Sequence, residues 1–217
     1  MAILHKATLT PTKLQLIEQF LPAQAWFNPE GAPGEVELLG AYRFDDPDGE
    51  VGLETHLVAH AGSIYQVPLT YRGAELPDAQ QWLVGTTDHS VLGKRWVYDA
   101  TGDPVYVAAL ATAILRAQEQ AEQFVQTEGK LEPRPSTVQV KGSGMPDGGI
   151  PALGPSFTAA APTTDNGVTV IDAGTLQLHV FRVLDLSAAP ANPGLNGTWQ
   201  GQDQPVRLAT LVEIPDA

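Results

Sequence analysis

Cysteine is absent from the 217 residues, which excludes disulfides, thiolate catalysis and zinc–thiolate sites and fits a reducing compartment. Basic residues are scarce: 12 Lys and Arg stand against 25 Asp and Glu, a formal charge of −13. Such a surface repels a phosphate backbone rather than neutralising it, so nucleic acid is not an expected partner. No apolar run approaches the length of a membrane helix, and the helical segments lack the basic face of a surface anchor. The N-terminus sets Lys6 beside only the short patch Ala2-Ile3-Leu4, without the apolar stretch of a signal peptide. The expectation is a cytoplasmic protein with no membrane partner, in which the sequon Asn196-Gly197-Thr198 is a chance match.

What is present is periodicity. Residues 3 to 9 alternate loosely as a strand, and Thr10-Pro11 offers an N-cap with proline at the first helical position. Leu14, Ile17, Phe20 and Leu21 then share one face of a helix over about 11–21, which Pro22 stops. From Val36 to Tyr71 the period changes to two, with turns at Asp45-Asp46-Pro47-Asp48-Gly49 and Ala61-Gly62, giving an antiparallel meander of strands at about 36–44, 51–60 and 63–71. A strand pair is expected at 82–87 and 95–99. Asp103-Pro104 repeats the cap-plus-proline signal and opens an Ala-rich helix expected to run to about 124, the longest element. Beyond it lie a short strand at 136–141, a Gly/Pro/Ser/Thr-rich loop at about 142–165, and strands near 166–172, 175–186 and 205–214.

Tests for chemistry return no complete constellation. Gly93-Lys94 is followed by Arg95, and Asp88 stands where a P-loop needs its first glycine. Gly142-Ser143-Gly144 has no strand before it or helix after it, as a dinucleotide fingerprint requires. Gly154-Pro155-Ser156 lacks the second glycine of a nucleophile elbow, and no His-x-Asp catalytic loop occurs. Glu54, His56 and His60 fall on a strand, where positions four apart are about 13 Å apart, so a solvated or cross-strand polar role is preferred to a metal. The acidic run Asp45, Asp46, Asp48, Glu50 lacks the later glutamate of a calcium loop and reads as a turn. Neither a cofactor nor a metal is expected. The most sharply patterned stretch is 88–99, where His89, Lys94, Arg95, Trp96, Tyr98 and Asp99 gather around one glycine. It reads either as a recognition loop or as a hairpin whose aromatics enter the core.

Four blocks of sequence carry a resemblance: His5-Lys6-Ala7-Thr8-Leu9-Thr10-Pro11-Thr12-Lys13-Leu14, Tyr42-Arg43-Phe44-Asp45-Asp46-Pro47, Gln66-Val67-Pro68-Leu69-Thr70-Tyr71-Arg72-Gly73 and His89-Ser90-Val91-Leu92-Gly93-Lys94-Arg95-Trp96-Val97-Tyr98-Asp99. In order and spacing they resemble the maltokinase N-terminal cap domain of actinobacteria. The resemblance covers about residues 1–125 well. It implies a curved antiparallel sheet with helices and a setting in trehalose and glycogen metabolism. The kinase residues of that family lie in lobes that this chain does not show, so no catalytic role transfers to any position here.

The sequence is therefore read as α+β: a curved antiparallel sheet packed against one long and one short α-helix, cystatin-like or cap-like. Residues 1–125 form the cap-like domain, and 126–217 supply strands completing or extending the same sheet. The expected function is a non-catalytic interaction protein whose partner is a carbohydrate-active enzyme, a kinase or a second copy of itself. Its candidate surface is Tyr42, Arg43, Arg72, His89, Lys94, Arg95, Trp96, Tyr98 and Asp99. Two alternatives stand beside it. One is a sugar or sugar-phosphate pocket lined by Trp82, Trp96, Tyr71 and His89. The other is an unrecognised hydrolase or transferase using Asp45, Asp46, His56 and His89.

Overall fold

The computed structural model describes residues 2–4, 7–30, 36–127, 130–146 and 162–214. The elements in chain order are β1 (Ala2–Leu4), β2 (Leu9–Thr10), α1 (Lys13–Phe20), β3 (Glu37–Phe44), β4 (Gly52–His60), β5 (Ser63–Arg72), β6 (Leu83–His89) and β7 (Gly93–Asp99). They continue with α2 (Pro104–Leu115), β8 (Gln123–Thr127), β9 (Lys130–Arg134), β10 (Val138–Gly142), β11 (Thr163–Asp165), β12 (Val168–Ala173), β13 (Leu176–Phe181), β14 (Gly194–Trp199) and β15 (Gln202–Glu213). The architecture is mostly antiparallel β, with a curled sheet and two short helices.

The first sheet has the order β2-β6-β7-β5-β4-β3 and is antiparallel throughout. Its hairpin at Ala61-Gly62 holds both residues at positive φ, 48° and 77°, the backbone that matches the twist of paired strands. Asp46 organises the next turn, its carboxylate accepting from the amides of Asp48, Glu50 and Val51. Period-two alternation then sends side chains to two different cores. Val58, Tyr65, Val67, Leu69 and Val97 meet Leu16, Ile17 and Leu21 of the α1 segment. Tyr42, Phe44, Leu53 and Leu57 meet α2 and the second sheet.

Both helices begin on side-chain caps. Asp103 caps α2 by accepting from the Val105 amide at 3.0 Å, with Pro104 in the first turn as expected. The cap of α1 is Thr12 rather than Thr10, in a reciprocal box with Gln15. The long helix expected to reach 124 stops at Leu115. Ala117 takes φ 52°, and the Gln118 amide turns back to the Ala113 carbonyl at 2.9 Å, closing the helix as a glycine normally would. Gly144 and Met145 then donate to the Ile114 and Leu115 carbonyls, both at 2.9 Å. A Cβ on Gly142 would lie 1.9 Å from the Ala113 oxygen, so the glycines of this stretch serve close approach to a helix end.

The strands after 126 form sheets of their own. Among the described residues, the backbone of the first sheet gains from this part of the chain only a bridge between Tyr65 and Val183, where the Gln66 amide donates to the Arg182 carbonyl and the Leu184 amide to the Ile64 carbonyl. Six of these later strands form a second antiparallel sheet, β10-β14-β15-β13-β12-β11, while β1, β8 and β9 make a small third one in which β1 and β8 are parallel. The outer edge of β3 is already occupied: Thr137 Oγ1 accepts from the Ala41 amide at 2.8 Å, Ser136 Oγ donates to the Ala41 carbonyl, and the Ala121 amide donates to the Arg43 carbonyl. Of the loop expected at 142–165, residues 147–161 lie outside the described residues, whereas 142 belongs to β10 and 163–165 form β11.

Two buried polar side chains bind the sheets together. Gln66 accepts from Tyr42 Oη at 3.1 Å and donates to the Phe181 and Leu208 carbonyls at 3.0 and 2.9 Å. Arg182, 1% exposed, forks onto both oxygens of Asp99 at 2.8 and 2.7 Å and also reaches Thr101 and Thr169. The opposite charges are paired through Nη2, and Nε donates to Thr169, whereas the buried Nη1 has no hydrogen-bond partner.

Candidate interaction surface

The nine residues expected to share one face divide into an interior set and a surface set. Tyr42 and Tyr98 are fully buried. Alternation in β3 and β7 turns both rings toward the interior, where Tyr98 Oη accepts from the Leu76 amide. Asp99 is the buried counterion of Arg182, and Arg72 is clamped bidentately on Asp103 with both contacts at 2.6 Å. These four have structural partners, so they do not form the expected contact face.

Arg43 belongs to a buried cluster beneath α1. Lys13 of α1 pairs with Glu54. The Nε2 of His56 lies 3.3 Å from Tyr71 Oη and 3.8 Å from Glu54, and Arg43 adds a further positive charge. Burial pushes the Glu54 carboxyl up, but Lys13, His56 and Arg43 outweigh it and hold it down at about 2. Burial pushes His56 down to about 4, with Lys13 and Arg43 working against the pull of Glu54. His56 is therefore neutral at pH 7, and its Nδ1 has no hydrogen-bond partner. The cross-strand polar role expected for Glu54 and His56 is present, but it is buried rather than solvated. Among the described residues no three His, Asp or Glu side chains form a metal-binding group.

The surface set sits on the β6–β7 hairpin. His89 Nδ1 accepts from the Val91 and Leu92 amides at 3.2 and 3.1 Å, and Gly93 at φ 72° closes the turn. Ser90 exchanges hydrogen bonds with Thr8 at 3.0 and 3.1 Å, which ties the tip to the strand beside it. The result is a braced tip that exposes Val91 by 56% and Leu92 by 47%. Lys94 is stacked 4.8 Å from the Trp96 ring centroid, Trp96 Nε1 donates to Glu75, and Arg95 donates to the Leu92 carbonyl. Two exposed apolar side chains flanked by two cations stand out on a chain of net charge −13. Val91 and Leu92 are not among the nine residues expected from the sequence. Their signal was two adjacent apolar residues inside a turn, where neither strand face can bury them.

The expected ligand pocket does not assemble from its four residues. Tyr71 serves His56, His89 holds the hairpin turn, Trp96 serves Glu75, and Trp82 packs against Gly102, where a Cβ would lie 2.2 Å from the indole. The residues of the hydrolase alternative are likewise committed separately, Asp46 to its turn, His56 to Tyr71 and His89 to the hairpin. Concave space lies elsewhere. One cleft of about 470 Å³ is bordered by Gln139, Lys141, Ser143 and Asn196. A second of about 790 Å³ lies between the Asp45–Asp48 turn, one face of α2 and residues 118–121.

Residues 20–103 match the family model of the maltokinase N-terminal cap domain. The matched stretch runs through all of β3 to β7, including the hairpin, and ends at the cap of α2. Three of the four blocks that carry the resemblance lie inside this stretch, so the match supports the similarity to the maltokinase N-terminal cap domain there, while the His5–Leu14 block lies outside it. No curated protein matches the chain.

Proposed function

We propose that the chain is a cap-type interaction module with no reaction of its own, and that it docks a protein partner through the tip of the β6–β7 hairpin. The observation that carries this reading is the braced turn holding Val91 and Leu92 in solvent between His89 and the Lys94/Arg95 pair. Exposed apolar side chains gain free energy only when something covers them, and the bracing means that little order has to be imposed on binding. The flanking cations select a partner with an acidic rim. The family resemblance suggests a carbohydrate-active enzyme or kinase of trehalose or glycogen metabolism as that partner, and a second copy of the chain is the alternative.

The test is affinity capture with the wild-type chain and with a Val91→Ser/Leu92→Ser variant, followed by binding measurements on the purified partner. A tenfold or greater loss of affinity at unchanged melting temperature supports the hairpin as the docking element. Equal affinity of the two chains for every captured protein removes it.

A further inference from the structure

Resting on that reading of the hairpin, we infer that its partner is a second copy of this chain: each tip enters the acid-rimmed apolar groove beside the partner's Asp45–Asp48 turn, in a reciprocal two-fold dimer. The groove of about 790 Å³ has an apolar floor from Val105, Ala108 and Ala109 of α2 and an acidic rim that includes Asp46, Asp48 and Glu119. No Lys, Arg or His is among its lining residues. The tip offers the complement, Val91 and Leu92 for the floor and Lys94 and Arg95 for the rim. Glu119 pairs with Lys141 at 3.2 Å, but both are well exposed, 60% and 67%. An ion pair so exposed is weak enough to exchange its partner.

Strand register permits a reciprocal contact. Phe44 pairs with Leu53, Gly52 with Tyr71, Arg72 with Trp96, and His89 with Gly93. Following these pairs across the sheet places the 45–51 turn and the 90–92 tip at the same end. They are about three strand spacings apart across the sheet, and the tip reaches about four residues farther along the strands, which puts them on the order of 20 Å apart. A tip and a groove at the same end can both engage about one two-fold axis, which closes the assembly at two copies. Once one contact has formed, the other is intramolecular and forms at high effective concentration.

The test is sedimentation velocity on the full chain over a concentration series. The expected result is a dimer whose Kd rises at least tenfold in Val91→Ser/Leu92→Ser, in Lys94→Glu/Arg95→Glu and in Asp48→Lys/Glu119→Lys. An equimolar mixture of the last two variants restores dimers, because each tip then meets a groove of opposite charge. All the altered side chains are solvent-facing or half-buried, and circular dichroism and melting temperature confirm that the variants are folded. A dimer unaffected by the tip and groove variants overturns the inference, as does growth beyond two copies that those variants abolish, since that contact is not reciprocal. A wild-type chain that stays monomeric overturns it too. In that case, loss of a different captured protein from the Val91→Ser/Leu92→Ser variant leaves the docking reading standing, and unchanged capture removes both.

Discussion

The two six-stranded sheets are built on different terms. The first is covered on both faces, and its strand β4, flanked by β5 and β3, is buried along most of its length. The second is covered on one face, and β10 and β13 alternate between buried and less buried positions. Double coverage forces polar side chains inside: Glu54, Thr55, His56, Gln66 and Thr70 are all buried in β4 and β5. Single coverage lets the second sheet build its buried face from Val138, Val140, Ile171, Leu178, Val180 and Leu208. The first sheet therefore depends on charge state and hydrogen bonding, the second on volume.

The largest effect is expected where the two terms meet. Arg182→Ala leaves Asp99 buried without its counterion and should cost about 3–5 kcal/mol, read as a lower denaturant midpoint. Two separate transitions would show that the sheets then unfold independently. A loss under about 1 kcal/mol would mean that Gln66, the backbone bonds of residues 64–66 to 182–184 and the apolar contacts suffice to join them.

Leu178→Ala, at 0% exposure on the second sheet, should cost about 2–5 kcal/mol through lost burial and the cavity left behind. That loss should be the same at pH 5 and pH 7. The first sheet should behave otherwise. His56 has a folded pKa of about 4, below its ordinary value near 6.5, so the unfolded chain binds the extra proton first. Stability then falls as pH drops from about 6.5 to 4, by about 3 kcal/mol. Glu54, held at about 2, extends the loss as pH falls from the ordinary carboxylate range toward 2. His56→Gln should flatten the upper part of this profile and shrink the lower part without abolishing it, because Lys13 and Arg43 still hold Glu54 down. A profile unchanged by His56→Gln would sink the contrast between the sheets. The smallest change is expected for Trp96→Ala, about 1 kcal/mol for its hydrogen bond to Glu75 and its half-buried ring, measured by thermal melting.

The first sheet was also the more legible in the sequence. Period two, the Ala61-Gly62 hairpin and the Asp46 turn are local signals, and β3, β4 and β5 lie where they point. So does the start of α2 at Asp103-Pro104. Its end was hidden because Ala117, not a glycine, takes the left-handed backbone. Strand β14 was hidden because Gly-Leu-Asn-Gly reads as a turn, whereas the strand uses Gly197 to admit Leu208 and Asn196 to bond Ala191 on both its amide and its carbonyl. The site was half legible. His89, Lys94, Arg95 and Trp96 do gather on one hairpin, but period two alone does not say which face of β3 or β7 is covered by the second sheet. Tyr42, Tyr98 and Asp99 therefore look like surface residues in the sequence and are buried in the fold.

The guanidinium of Arg182 lies 5.4 Å from the ring centroid of Trp26, which also leans on Phe20 and Tyr65 at 6.4 and 6.0 Å. One of the four indoles in the chain thus sits against the cation that joins the sheets. Its emission colour and lifetime respond to that charge and to water entry, which makes Trp26 a native optical reporter. With the other three tryptophans replaced by phenylalanine, light alone can follow whether the junction is closed, with no label attached.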